Sequence, residues 1–127
     1  MQKKKILIAE DEMVLRFLLT ETLEDEGYDI DEAEDGKLAM DSLRYGEYDL
    51  IILDYMMPEA TGIEVCRWLR GEGGINANKP VILLTAKAEE KDRDLAMQVG
   101  VSKFISKPFS PIELAEVVRE LAGGRPL

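Results

Sequence analysis

Short apolar runs recur along the chain, and each is followed by a segment whose apolar residues have helical spacing. The two longest runs, residues 50–53 and 81–84, are unbroken Leu, Ile and Val. Runs of this kind are typical of strands buried on both faces of a parallel sheet. The full pattern predicts five strands, at about residues 4–9, 28–33, 49–54, 81–84 and 103–106.

The segment after the first strand predicts an amphipathic helix. Leu15, Leu19 and Leu23 lie one helical turn apart. Such spacing marks a stripe that packs on a core, and Val14 and Leu18 are predicted to widen that stripe.

Four more helices are predicted, at about residues 36–45, 62–70, 89–99 and 111–122. Thr61 and Ser110 are predicted N-caps of the third and fifth helices of the chain. The fourth helix has the thinnest apolar side. The residues predicted to face inward are Leu38, Ala39, Leu43, Val65, Cys66, Leu69, Leu95, Ala96, Val99, Leu114, Val117, Val118 and Leu121.

A strict alternation of strand and helix indicates an α/β fold with parallel strands and right-handed crossovers. Five βα units are too few to close an eight-stranded barrel, so we expect an open, doubly wound sheet with helices on both faces. The 127 residues are predicted to form a single domain whose core spans about residues 4–122. In such sheets, ligands bind where the carboxyl ends of the strands meet.

Composition narrows the classes of function. The formal net charge of −10 argues against direct nucleic-acid binding, because phosphate backbones are bound by basic surfaces. No apolar run approaches the roughly 20 residues needed to span a bilayer, and the first run is too short for a signal peptide, so we expect a cytoplasmic protein. The lone Cys66 is predicted to lie in the core. The chain has no histidine, which excludes Cys–His and Ser–His dyads.

Polar residues follow four of the five predicted strands. Glu10 and Asp11 follow the first, Asp54 ends the third, Thr85 ends the fourth and Lys107 follows the fifth, while the second strand offers nothing distinctive. The topology brings these positions to one edge of the sheet. Clustered carboxylates with oxygen-only ligands suit a hard divalent cation, Mg²⁺ or Mn²⁺. A strand-end aspartate beside such an ion is suited to aspartyl-phosphate chemistry, with a lysine and a hydroxyl holding the phosphoryl oxygens.

Each residue also has an ordinary structural interpretation. Asp11 taken alone is more typical of a helix N-cap, Thr85 of a cap, and Lys107-Pro108 of a turn. Glu12 is predicted to start the first helix, where a negative charge is favoured. Four such residues on four separate strand ends make the structural interpretation a poor one for the whole set.

Taken together, these motifs resemble the response-regulator receiver domain of two-component signalling over about residues 4–122. The resemblance implies a flavodoxin-like sheet with strand order 2-1-3-4-5. The segments that carry it are Ile8-Ala9-Glu10-Asp11-Glu12, Leu53-Asp54-Tyr55-Met56-Met57-Pro58 with Thr61-Gly62, Leu84-Thr85-Ala86-Lys87, and Phe104-Ile105-Ser106-Lys107-Pro108-Phe109.

The resemblance implies a metal site and a phosphoacceptor. Asp54 would accept phosphate from a histidine kinase or a histidine phosphotransfer protein. Asp11, Asp54 and the backbone carbonyl of Met56 would ligate Mg²⁺, with Glu10 acting through water. The domain would catalyse only its own phosphorylation and dephosphorylation, and is therefore expected to be a signalling switch and not an enzyme.

The resemblance also implies a switch. Lys107 and Thr85 would bind the phosphoryl group, and Phe104 would turn inward as Thr85 moves. The surface formed by the fourth helix, fifth strand and fifth helix would then change for a downstream protein, a fused output domain or a phosphorylation-dependent homodimer. The Lys107-Pro108 peptide bond is expected to be cis.

The sequence departs from the common family pattern in side chains near the expected phosphoryl group. The first acid is Glu10 in place of aspartate, Met56 lies two residues after Asp54, and Lys87 two residues after Thr85. We hypothesise that the apolar Met56 limits the approach of hydrolytic water and prolongs the phosphorylated state.

Three other functions compete. A haloacid-dehalogenase-type phosphatase needs a second acid where this chain has Met56. A flavodoxin-like flavin binder needs a Ser/Thr/Gly-rich phosphate loop where this chain has acids at residues 10–12. A receiver fold that docks partners without being phosphorylated is the remaining alternative.

Overall fold

All five predicted strands form one parallel sheet in the order β2-β1-β3-β4-β5, which confirms the expected flavodoxin-like topology. The computed structural model describes residues 3–86 and 91–123. The strands are β1 (Lys5–Ala9), β2 (Asp29–Ala33), β3 (Leu50–Asp54), β4 (Val81–Thr85) and β5 (Lys103–Ser106).

Helices cover both faces of the sheet. They are α1 (Met13–Asp25), α2 (Gly36–Tyr45), α3 (Gly62–Glu72), α4 (Arg93–Gln98) and α5 (Pro111–Ala122), with a short 3₁₀ helix at Gly74–Asn76. The predicted start of the fourth helix falls on residues 87–90, which lie outside the described residues, as does Lys87. Within the described ranges, no helix is long and apolar enough to cross a membrane.

Two hydrophobic cores lie on opposite faces of the sheet, because successive strand side chains point to opposite sides. In β3, Leu50 and Ile52 pack with α1 and α5, whereas Ile51 and Leu53 pack with α2 and α3. Cys66 is a free, buried thiol in the second of these cores, as predicted. The apolar run that organises the sequence is therefore the centre of both cores.

The buried faces of α1 and α2 differ from the prediction. Val14 and Leu18 are 62% and 49% exposed, and Arg16 and Thr20 are buried beside Leu19 instead. In α2, Leu38 is likewise exposed, and in α4 Leu95 is exposed as well. Each misplaced residue is as apolar as its buried neighbours. Apolar content alone therefore does not decide which side of a helix faces the sheet.

Side-chain caps begin the third and fifth helices, as predicted. Thr61 Oγ1 accepts a hydrogen bond from the Glu64 backbone N–H at 3.1 Å, and Glu64 Oε1 accepts one from the Thr61 N–H at 2.8 Å. This reciprocal capping box satisfies two of the unpaired donors at the helix start. Ser110 Oγ accepts from the Glu113 N–H at 3.3 Å.

Candidate functional site

The sheet register places the predicted site residues side by side. Ala9 pairs with Leu53, so Glu10 follows β1 directly beside Asp54 at the end of β3. Asp54 in turn pairs with Leu84, next to Thr85 at the end of β4. The parallel direction of the strands therefore brings to one edge residues that are far apart in sequence.

Three carboxylates form a cluster at this edge. Glu10, Asp11 and Asp54 each have one carboxylate oxygen within 4.8 Å of the others. Glu10 and Asp54 are buried, whereas Asp11 is exposed. The cluster provides only oxygen ligands, and they are close together and carry excess negative charge. This set of ligands fits a hard divalent cation such as Mg²⁺.

Lys107 brings a positive charge into contact with the cluster. Its Nζ lies 2.6 Å from Asp54 Oδ1 and 3.3 Å from Glu10 Oε1. The Lys107 backbone N–H donates to the Thr85 carbonyl at 2.8 Å, which fixes the start of the loop after β5. The Lys107-Pro108 peptide bond is cis, as expected.

The protonation equilibria show that one ammonium does not balance the acids. Burial and the negative charge of Asp54 raise the pKa of Glu10 to about 7, although the Glu12 N–H and Lys107 oppose this shift. Burial also raises the pKa of Asp54, although the hydrogen bond and charge of Lys107 oppose this shift. For Lys107, burial lowers the pKa, but its hydrogen bond to Asp54 and the two carboxylates outweigh burial and the net shift is upward. Among the residues that the structure describes, the three carboxylates of the cluster therefore outnumber the one ammonium in contact with them.

Two buried side-chain oxygens at this edge lack hydrogen bonds. Within the part of the chain that the structure describes, Thr85 Oγ1 has no hydrogen-bond partner. Glu10 Oε1 has none either, although it lies within ion-pair distance of Lys107 Nζ. Buried polar atoms are nearly always paired in folded proteins, so two unpaired oxygens at this edge fit a site that ligands complete.

Phe104 on β5 pairs with Leu83 on β4, two residues before Thr85. Its side chain is half-buried, and the Arg93 guanidinium carbon stands 4.5 Å from the ring centroid. Phe104, Thr85 and Tyr55 line a narrow crevice under α4. The Tyr55 hydroxyl donates to Asp92 Oδ2 at 2.7 Å, which links the loop after β3 to the chain just before α4.

The loop after β3 is held close to Asp54 by a glycine. The Gly62 N–H donates to the Tyr55 carbonyl at 2.7 Å, and a Cβ on Gly62 would lie 2.5 Å from the Asp54 carbonyl oxygen. Any larger residue would push the loop away from the end of β3. Met56 lies in this loop with its side chain 55% exposed.

Arg16 is a site residue that the sequence reasoning missed. Its Nη1 donates to the Glu10 carbonyl at 2.8 Å, and its Nε lies 3.1 Å from Glu32 Oε1 on β2. Among the described residues, β2 adds no carboxylate to the cluster, but Glu32 on β2 pairs with Arg16. Helical spacing could have identified this residue. Arg16 precedes Leu19 by three residues and Leu23 by seven, so it lies on the same face of the helix as these two leucines.

Glu12 occupies the N-cap position of α1, as predicted, and its side chain makes no capping hydrogen bond. Its backbone N–H donates to Glu10 Oε2 at 3.1 Å. Asp11 precedes the cap, so the alternative interpretation of Asp11 as the N-cap is wrong.

Comparisons with known proteins agree with this geometry. The response regulator receiver domain family matches residues 6–119. The chain is 46% identical over 117 residues to the transcriptional regulatory protein ResD of Bacillus subtilis (strain 168), a match that covers 92% of this chain and 47% of ResD. The chain spans about half the length of the curated relatives it matches.

Two solved structures share the fold over nearly the whole chain. The receiver domain of the Francisella response regulator 1452 is 32% identical with a TM-score of 0.87, covering 95% of this chain and 98% of that one. The receiver domain of sensor histidine kinase PA1611 from Pseudomonas aeruginosa PAO1 is 29% identical with a TM-score of 0.87, covering 97% and 100%, and its crystal structure has a magnesium ion coordinated in the active site cleft. Since the family match spans almost the entire sequence, this chain belongs to the response regulator receiver domains of phosphorylation-dependent two-component signalling.

Proposed function

We propose that Asp54 is the phosphoacceptor of this receiver domain. The observation that carries the proposal is the position of its carboxylate, which is buried at the end of β3, 2.6 Å from Lys107 Nζ, and clustered with Glu10 and Asp11. A buried carboxylate beside other acids is costly unless positive charge offsets it, so a cation bound beside Lys107 would stabilise the ionised, nucleophilic form of Asp54.

Asp11, Asp54 and the backbone carbonyl of Met56 would hold Mg²⁺ or Mn²⁺, with Glu10 acting through water. The bound ion would offset the negative charge of the carboxylates and of the incoming phosphoryl oxygens. The two orphaned oxygens, Glu10 Oε1 and Thr85 Oγ1, support a site that is completed by ligands.

In the proposed reaction, an Asp54 carboxylate oxygen attacks the phosphorus of a phosphohistidine. The new O–P bond forms as the P–N bond breaks, and the imidazole leaves with the electron pair and takes up a proton. Lys107 then holds a phosphoryl oxygen, and the Thr85 hydroxyl donates to another. The chain catalyses its own phosphorylation and, by water attack on the acyl phosphate, its own dephosphorylation.

Phosphorylation would reach the surface through Thr85 and Phe104. The unpaired Thr85 hydroxyl gains an acceptor, and its movement opens space into which the Phe104 ring turns. Because Phe104 contacts Arg93 at the start of α4, this change would alter the α4–β5–α5 surface.

A histidine kinase or histidine phosphotransfer protein is the proposed donor. An apolar groove beside the site is lined by the outward side chains of α1, including Val14 and Leu18, and by Lys107 and Pro108. The groove shares Lys107 with the phosphoacceptor site, which supports its use by the protein that presents the phosphohistidine. The outward turn of Val14 and Leu18, unexpected from the sequence, would then serve docking.

The output is proposed from the longer relatives. ResD is a transcriptional regulatory protein about twice as long as this chain, which supports a fused output domain or a downstream protein as the responder. A phosphorylation-dependent homodimer would use the same α4–β5–α5 surface. The net charge of −10 opposes direct contact of this domain with nucleic acid. A cytoplasmic location stays a prediction of the sequence.

Phosphorylation with a small donor tests the proposal. The protein is incubated with Mg²⁺ and acetyl phosphate, and its intact mass is measured; we expect one phosphate adduct. Asp54→Ala should abolish the adduct, while Asp41→Ala, on the exposed side of α2, should retain it. An adduct that survives Asp54→Ala contradicts the assignment of Asp54. No adduct in the wild-type protein would favour a docking module that works without phosphorylation.

A further inference from the structure

Arg16 is nearly buried at the edge of the acidic cluster, with a side chain only 10% exposed. A buried guanidinium is stable only when its donors are paired. Arg16 lies on the same face of α1 as Leu19 and Leu23, which pack on the core. The arginine therefore occupies a position that an apolar residue would otherwise fill.

Its contacts divide into two groups. Toward the site, Nη1 lies 2.8 Å from the Glu10 carbonyl oxygen and 3.4 Å from the Asp11 carbonyl oxygen. Toward β2, Nε lies 3.1 Å from Glu32 Oε1 and Nη2 lies 3.6 Å from Glu34 Oε1. Thr20 Oγ1 also donates to Glu32 Oε2 at 2.8 Å, which holds the nearer carboxylate in place.

The two carbonyls that Arg16 contacts belong to the peptide units on either side of the Asp11 Cα. Holding both carbonyls fixes the backbone torsions of Asp11 and hence the direction of its side chain. Asp11 is exposed, and among the described residues its carboxylate makes no hydrogen bond of its own. The placement of this acid in the cluster therefore depends on the backbone that Arg16 holds.

We propose that Arg16 is a positioning residue for the metal-binding acids, anchored on Glu32 and aligning the Glu10–Asp11 backbone so that Asp11 faces the divalent cation. The proposal rests on the proposed metal site. The planar fork of the guanidinium is needed, because one donor group must reach two carbonyls while another pairs with a carboxylate.

Electrostatics and positioning make opposite predictions for Arg16. If Arg16 acted only through its charge, its loss would remove repulsion and tighten Mg²⁺ binding. If Arg16 positions Asp11, its loss weakens binding even though a positive charge is gone. Arg16→Lys keeps the charge and loses the fork, whereas Arg16→Met loses both.

The test is titration of the unphosphorylated protein with Mg²⁺ by isothermal calorimetry, with urea unfolding to verify each fold. We expect Arg16→Lys to weaken Mg²⁺ binding about tenfold, the usual scale for residues that orient metal ligands. Arg16→Met should also weaken it. Glu34→Gln is the matched control, because it alters charge in the same network without touching the carbonyls, and should stay within about twofold of wild type.

The phosphorylation kinetics supply a second readout. The Mg²⁺ concentration for half-maximal phosphorylation should rise about tenfold in Arg16→Lys, in step with the dissociation constant. The rate at saturating Mg²⁺ should stay near that of wild type, since Arg16 does not touch the phosphoryl group. Unchanged Mg²⁺ affinity in a folded Arg16→Lys, or tighter binding in Arg16→Met, overturns the proposal.

If the Arg16 variants do not fold, a further variant still tests the proposal. Thr20→Val removes only the hydroxyl that holds Glu32, and we expect it to weaken Mg²⁺ binding about threefold, a smaller effect of the same kind. Wild-type affinity in Thr20→Val would then overturn the proposal. Absence of Mg²⁺ binding by the wild-type protein would instead contradict the proposed metal site itself.

Discussion

The two ends of the sheet treat buried polar groups in opposite ways. At the amino end, Asn76 is fully buried: its Oδ1 accepts from the Tyr48 N–H at 2.9 Å, and its Nδ2 donates to the carbonyls of Leu43 and Gly46 at 2.9 and 2.7 Å. At the carboxyl end, the Thr85 hydroxyl has no hydrogen-bond partner among the described residues, and burial and the charge of Asp54 raise the pKa of Glu10.

Two arginines, Arg70 (half-buried) and Arg16 (buried), show the same difference between the two ends of the sheet. At the amino end, Arg70 on α3 donates to the carbonyls of Ala77 and Lys79, before β4, and of Gly100, before β5, and thus joins two loops to α3. At the carboxyl end, Arg16 contacts the Glu10 and Asp11 carbonyls and pairs with Glu32 and Glu34. One end of the sheet is thus built for stability, whereas the other keeps charges and donors available for ligands.

Asn76→Ala should have the largest effect on stability. It leaves one buried N–H and two carbonyls without partners, so we expect a loss of about 3–5 kcal/mol of unfolding free energy. Urea unfolding measures the loss, and the folded fraction should still accept phosphate. Asn78→Ala, at an exposed position nearby, is the control. A loss below about 1 kcal/mol would contradict the assigned role of Asn76.

Glu10→Gln should stabilise the metal-free protein at neutral pH. Glu10 has a pKa of about 7 when folded against 4.5 as its ordinary value, so the folded state binds more protons between these values and its stability falls as pH rises through them. The stability gap between variant and wild type should therefore grow from near zero below the ordinary pKa to as much as about 3 kcal/mol above the folded pKa.

Urea unfolding in a chelator at several pH values measures this gap. Loss of the Glu10–Lys107 contact reduces the gain, and added Mg²⁺ should narrow the gap because it pairs with the ionised acids. A gap that does not change with pH would show that Glu10 titrates normally in the folded protein.

Thr85→Val should separate stability from switching. In the part of the chain that the structure describes, this buried hydroxyl has no hydrogen-bond partner, so its replacement by a methyl group should raise the unfolding free energy by about 1 kcal/mol. Phosphorylation should still occur, but amide shifts of Phe104 and α4 should change less than in wild type. Thr20→Val, which removes a paired hydroxyl, should destabilise instead. Equal losses in both variants would contradict the contrast between the two threonines.

Met56→Asn should have the smallest effect, and only on the lifetime of the phosphorylated state. An amide can orient water that the apolar Met56 excludes, so we expect the decay of phospho-Asp54 to accelerate about threefold to tenfold, worth roughly 1 kcal/mol in the barrier. Loss of phosphate over time, followed by intact mass, gives the rate. Met13→Asn is the control, because Met13 is an exposed methionine at the start of α1. Equal decay rates in wild type and Met56→Asn would contradict the hypothesis that Met56 limits the approach of hydrolytic water.

Most of the fold follows from local pattern. Unbroken apolar runs such as residues 50–53 are buried on both faces wherever they lie, and alternation with helices leaves few parallel topologies. The same logic placed Asp54, Thr85 and Lys107 at one edge, because the carboxyl ends of parallel strands share it. The strand order and the cis Lys107-Pro108 bond came from family resemblance, and the structure has both.

What only the tertiary structure decided is how each helix is rotated and which charges meet. Val14 and Leu18 are as apolar as Leu19, and an arginine in a helix is ordinarily solvated. Only the approach of α1 to β2 buries Arg16 between the Glu10 carbonyl and Glu32. The sequence thus determined that acids gather at the end of β3, because that depends on chain direction. The structure decided which groups hold them there, because that depends on contacts between elements distant in sequence.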